Sequence, residues 1–236
     1  MAPSPGAQPK SPPRDAKPST TAAGLKTTTP SASVSKPAEP PEPLEPAEDA
    51  ELLPPPPALS PGTNPTRFHM ALQRGHEQLG SHDDAGAIQS FTAAIALRPR
   101  YAPAYYSRGV AHESLGHNEM AIEDYSQAIR LAPGLAPAYV ACGVCLVRLS
   151  RDPDALLDFQ RALELKPGLA SALNGRGGIY FRRKQYRAAL ADYDMAITNN
   201  PRLSRAYLNR ARAREAVGDF RGAAADRQRE TELRKR

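Results

Sequence analysis

Apolar and small positions along the second half of the chain recur at intervals of three and four residues in short stretches, and these stretches are broken by turn chemistry at regular distances. Over residues 104–114 the buried-type positions include Tyr105, Gly109 and His112, with the stem of Arg108, before Leu115-Gly116-His117-Asn118 interrupts the helix. From about Glu119 a second stripe follows, with Ala121, Ile122, Tyr125, Ala128 and Ile129 on one face, and Pro133 stops it. The pattern predicts helix, turn, helix. It then repeats: Pro99, Pro133, Pro167 and Pro201 are 34 residues apart, as are the glycines Gly75, Gly109, Gly143 and Gly177. The rings Phe91, Tyr125, Phe159 and Tyr193 keep the same step, and so do two alanine series, Ala87 to Ala223 and Ala94 to Ala196. Where two antiparallel helices cross closely, a small residue at the contact lets the backbones approach and a ring fills the space beside it.

Helix pairs with small, large, small and proline positions at this period resemble the tetratricopeptide repeat family. The resemblance implies an all-α, right-handed superhelical solenoid of about five tandem helix-turn-helix repeats at residues 68–101, 102–135, 136–169, 170–203 and 204–236, preceded by a disordered proline-rich tail. The fifth unit has Arg227 in place of the ring and Glu230 in place of a small residue, as expected of a solvent-facing cap. In the first unit Leu79-Gly80 reads as a turn placed two residues early, and Gly86 as a weak point of the second helix. Arg74, Arg108, Arg176 and Arg210 precede the small position of their first helices (Gly75, Gly109, Gly177 and Ala211), while Asp124, Asp158, Asp192 and Asp226 precede the ring or its equivalent. These are expected to pair between helices and hold register.

Composition divides the chain. Residues 1–66 hold 18 of the 25 prolines, with little apolar surface to offset ordering entropy, and are expected to be disordered. The stretch 37–46 and Pro54 to Pro57 read as extended polyproline segments, and Ser4, Ser11, Thr29 and Ser60 each precede proline, where a proline-directed kinase could act. Paucity of acids in the first 38 residues is also mildly like an organelle transit peptide. No run of apolar residues is long enough to span a bilayer, and the expected location is cytoplasmic. The tail is slightly acidic, which leaves 26 basic and 18 acidic residues on the repeats, with much of the excess beyond residue 203.

Candidate chemistry is sparse. Cys142 and Cys145 form a C-x-x-C pair in mid-helix, away from the helix N-terminus that would lower a thiol pKa, and no second pair completes a zinc site. His112 and His117 are five apart, one more than a zinc-protease pair requires, and are expected on different faces. His69 and His76 lack a third ligand at suitable spacing. The run Asn174-Gly175-Arg176-Gly177-Gly178 is helical by register and follows no strand, so it is no phosphate loop. The sequence predicts a non-enzyme with no catalytic, metal or cofactor residues.

The function implied by the resemblance is a protein-interaction scaffold or adaptor that binds a peptide in a concave groove. The family's inner-wall positions fall on Leu72, His76, Tyr106, Val110, Glu113, Val140, Val144, Val147, Asn174, Phe181, Arg205, Leu208 and Arg212. An apolar middle and a cationic end suit a partner with an apolar anchor followed by acidic residues. Val140 and Val144 could instead be packing residues. If they line the groove, Val144→Glu leaves the fold intact and abolishes capture. The family's clamp for the acidic tails of heat-shock chaperones has no counterpart here, so those partners are not expected. Alternatives are a nucleic-acid or other polyanion contact through the arginine-rich residues 205–236, and self-assembly through repeat edges.

Overall fold

The computed structural model describes residues 65–235, and among these residues the only regular elements are ten α-helices. They are α1 (Pro65–Gly80), α2 (Asp84–Leu97), α3 (Ala102–Ser114), α4 (Asn118–Leu131), α5 (Ala136–Arg148), α6 (Asp152–Leu165), α7 (Ala170–Arg182), α8 (Tyr186–Asn199), α9 (Ser204–Ala216) and α10 (Phe220–Arg234). The expected tail lies outside the described residues up to its last two positions, and α1 begins at Pro65.

Proline sets where each second helix stops. The residue before Pro99, Pro133, Pro167 and Pro201 is forced out of the helical region by the pyrrolidine ring. Arg98, Ala132, Lys166 and Asn200 accordingly sit at φ −142°, −139°, −140° and −133°, each still donating its N–H to the alanine four residues back. The Tyr105, Tyr139 and Tyr207 hydroxyls then donate to the carbonyls of Pro99, Pro133 and Pro201, tying each next helix to that stop.

The turn inside each hairpin is also in register. Its left-handed residue is His82, Gly116, Ser150, Lys184 or Gly218, one every 34 positions. Leu79-Gly80 is therefore not an early turn: both residues belong to α1, and His82 at φ 59° makes the turn. Gly86 is not a weak point either. Its N–H donates to the capping Asp83 carboxylate, and a Cβ there would come within 2.1 Å of Asp83 Oδ2. Gly222 and Asp219 repeat this cap at α10.

A non-glycine residue in the left-handed region costs roughly 1–2 kcal/mol, partly offset by the extra chain entropy a glycine loses on folding. Exposed Lys184, at φ 59°, tests this. Lys184→Gly is expected to raise stability by about 0.5–1 kcal/mol in denaturant titration. A loss of stability would show that the lysine side chain contributes more than the strain it carries.

Inside each hairpin the ring of the second helix lies on the glycine of the first. A Cβ on Gly75, Gly109, Gly143 or Gly177 would stand 2.6, 2.7, 2.9 or 2.7 Å from Phe91, Tyr125, Phe159 or Tyr193. These four rings are fully buried. Between hairpins, each second helix packs on the next first helix, and first helices touch the first helices of adjacent repeats, as α5 does with α3 and α7. Second helices make no such contacts with one another among the described residues, so the first helices form the inner row of a solenoid. One core runs through residues 106–206, with smaller clusters around Phe91 and Tyr193.

The expected Arg–Asp pairs form in three repeats. Arg108 grips Asp124, Arg176 grips Asp192 and Arg210 grips Asp226, each through two nitrogens at 2.6–2.9 Å. Arg74 has Ser90 at the carboxylate position, and Asp158 has Cys142 at the arginine position. On α10 only Ala223 and Asp226 are buried, and Arg227 pairs with Glu215 of α9 at 2.7 Å, as befits a polar outer face.

Candidate peptide-binding wall

The inner row carries all thirteen expected wall residues, but most do not face solvent. Val140, Val144, Asn174, Glu113, Phe181, Tyr106 and Leu72 are only 1, 3, 2, 5, 6, 7 and 8% exposed. Val140 and Val144 are packing residues of the central core. The accessible or half-buried members are His76, Val110, Val147, Arg205, Leu208 and Arg212. Among the others, Phe181 packs against Tyr186 with ring centroids 5.5 Å apart. Asn174 accepts from Asn209 Nδ2 at 3.1 Å in the interior between α7 and α9.

Polar links tie the inner row together. His76 and Ser107 hydrogen-bond across repeats at 3.2 Å, and Arg182 grips Asp152 of the preceding repeat. Glu113 accepts from the Tyr125 hydroxyl at 2.7 Å and pairs with Arg148 at 2.9 Å. Burial raises the Glu113 pKa, and the Tyr125 and Arg148 contacts pull it back down. This acid has the role of an internal strut between repeats two and three.

Repeat four departs at the equivalent place. Phe181 occupies the position of Glu113, so the fully buried Tyr193 hydroxyl has no hydrogen-bond partner among the described residues. Burial raises its pKa, while Arg182 and Arg212 act to lower it. A sealed O–H donor thus sits among two guanidinium groups and the Asp192 carboxylate at the C-terminal end of the wall.

The remaining sequence candidates resolve as packing. Cys142 and Cys145 are buried in α5 with their thiols unoxidised. Burial pushes the Cys145 pKa up to about 12 and that of Cys142 further, so neither is a ready thiolate. Gly175 and Gly177 of the glycine-rich run lie against Phe159 and Tyr193. His112 and His117 do not part as their spacing suggests. The turn returns His117 to within 5.9 Å of the His112 ring, whose Nε2 lies 3.9 Å from Asp124.

Much of the arginine excess at the C-terminal end is engaged within the array. Arg210 and Arg214 share Asp226, Arg210 also holds Asp194, and Arg229 and Arg234 pair with Glu232 and Glu230. Among the described residues no helix is long and apolar enough to cross a membrane.

Residues 102–135 match one tetratricopeptide repeat family model and residues 145–204 match a second. No curated protein matches the chain. Solved structures do: MamA from Desulfovibrio magneticus RS-1 is 16% identical, with 72% of this chain and 96% of that one covered at a TM-score of 0.62. TTC0263, a thermophilic TPR protein of Thermus thermophilus, is 19% identical over 70% of this chain and 91% of that one, at 0.61. YrrB, described as a TPR protein with an unusual peptide-binding site, is 18% identical over 70% and 85%, at 0.54. At such identities the likeness concerns fold, and the two matched models together with the 34-residue hairpin period show that the chain carries tandem tetratricopeptide repeats.

Proposed function

We propose that this array is a non-catalytic scaffold that holds an extended segment of a partner protein along its inner row, with acidic residues of that segment at the C-terminal end. Val110, Val147 and Leu208 offer half-buried apolar contacts, and Arg205 and Arg212 supply positive charge. The replacement of Glu113 by Phe181 in repeat four, beside the cationic wall positions of α9, carries the reading. In repeat two the Tyr125 hydroxyl donates to a carboxylate, Glu113, whereas in repeat four the acceptor for Tyr193 is missing and Arg182, Asp192 and Arg212 all act on the donor. Buried donors are nearly always satisfied. This one is sealed from solvent and is not itself a contact for a partner; it marks that repeat four lacks the inner-row acid of repeat two, and Arg205 and Arg212 on the half-buried wall draw a partner's carboxylate to that end. The internal pairing of much of the arginine cluster favours this reading over a polyanion surface.

Labelled peptides with an apolar residue followed by three acids, titrated against the full chain at physiological salt, test it by fluorescence anisotropy. The acidic peptide is expected to bind, and its amide-for-acid counterpart at least about tenfold more weakly, which corresponds to roughly 1.4 kcal/mol. Arg212→Ser should remove most of that difference with helix content unchanged. Equal binding of both peptides would refute the proposal.

A further inference from the structure

Repeat three lacks one side chain that its neighbours use. In repeats two and five a guanidinium closes a small polar assembly between the two helices of the hairpin. Arg108 forks onto Asp124, donates through Nη1 to Thr92 Oγ1 of the preceding repeat at 3.1 Å, and lies 5.7 Å from the Tyr105 ring. Arg210 forks onto Asp226, donates through Nη1 to Asp194 at 2.7 Å, and lies 5.6 Å from the Tyr207 ring. At the corresponding places repeat three keeps Asp158 for the carboxylate, Ser126 for the acceptor of the preceding repeat, and Tyr139 for the ring. Only the arginine is gone, replaced by Cys142.

The shorter side chain leaves a space. The Cys142 thiol reaches Asp158, but a cavity of about 410 Å³ opens beside it, lined by Ser126, Tyr139, Cys142 and Asp158 among others. Asp124, Asp192 and Asp226, covered by their arginines, are 5, 4 and 3% exposed, whereas Asp158 is only half-buried. Two cations also line the cavity, against two carboxylates, Asp154 and Asp158: Arg151 is neutralised by Asp154 at 2.8 Å, and Arg130 is held aside by a bond through Nε to Gln127 at 2.9 Å.

We propose that this cavity, between α4, α5 and α6, receives an arginine side chain from a partner protein, its guanidinium taking the place that Arg108 and Arg210 fill in their own repeats. A carboxylate, a hydroxyl and an aromatic ring set for a planar fork suit arginine better than lysine, whose ammonium cannot donate in parallel to both carboxylate oxygens. The site lies apart from the inner wall and does not depend on the peptide reading given there.

The test uses the full chain and N-acetyl-arginine methylamide as probe, with the lysine analogue as control, followed by amide and side-chain NMR shifts. Saturable shifts centred on Ser126, Tyr139 and Leu157 are expected, with roughly millimolar affinity and at least about fivefold weaker binding of the lysine probe. Cys142→Arg should abolish the shifts and raise the melting temperature, because the missing guanidinium is restored in cis. Asp158→Asn should abolish them without adding one, and it decides the matter if Cys142→Arg fails to fold. Shifts that persist in Asp158→Asn, or equal affinity for both probes, would overturn the proposal. Residues 1–66 contain one arginine, Arg14, and Arg14→Ala separates sources: unchanged probe affinity supports a partner, whereas tighter binding would assign the occupant to this chain's own arginine and overturn the partner assignment.

Discussion

Tyr193→Ala is expected to lower stability by about 3–5 kcal/mol, the usual cost of deleting a buried ring whose site cannot collapse. The ring is fully buried, lies on the Gly177 backbone and belongs to a cluster with Phe181, Ala189 and Ala213, so it joins α8 to both α7 and α9. Stability in such arrays is a sum over units and their interfaces with immediate neighbours. Hydrogen exchange should therefore accelerate most in α8 to α10 and least in α1 and α2. An unchanged denaturation midpoint would show that the ring does not join the two hairpins. Removing only the hydroxyl separates packing from hydrogen bonding. Tyr193→Phe takes away a donor with no acceptor among the described residues and should be neutral or stabilising by up to about 1 kcal/mol. Tyr125→Phe takes a 2.7 Å bond from buried Glu113 and should cost about 1–3 kcal/mol.

The two tyrosines show how much a period can disclose. Proline, glycine and ring positions were legible because each is imposed by one local requirement: a forbidden backbone region at Arg98 or Asn200, or a ring that leaves no room for a Cβ at Gly109. The first turn lies later than Leu79-Gly80 suggests because glycine is the usual sign of a left-handed residue, and His82 adopts that conformation without being one. The wall was only partly legible. Whether an apolar residue on the inner row faces solvent or its neighbour depends on how closely successive first helices approach, which the spacing of residues along a sequence does not encode. The gap at Cys142 was visible as a missing member of the arginine series. Its meaning needed the cavity and the half-exposed Asp158, neither of which a sequence displays.

Val144→Glu is where that difference has its largest consequence. If Val144 lined an open groove, the variant would fold normally and lose its partner. At 3% exposure, and with α5 held between α3 and α7, the new carboxylate instead enters the core. An unpaired buried charge costs several kcal/mol, and a loss of about 3 kcal/mol or more is expected near neutral pH. The pH dependence identifies the cause. Burial raises the folded-state pKa of such a glutamate above its unfolded value of about 4.3, so the neutral form is tolerated below that pH and stability falls as pH rises through the folded pKa. The deficit relative to wild type should therefore shrink toward pH 4, whereas Val144→Ala, which removes only packing, should show a smaller and pH-independent loss. A Val144→Glu protein as stable as wild type at pH 8 would put this side chain back on the open wall. Failing that, loss of partner capture by this variant reports unfolding, and Arg212→Ser is the substitution that reads the binding surface.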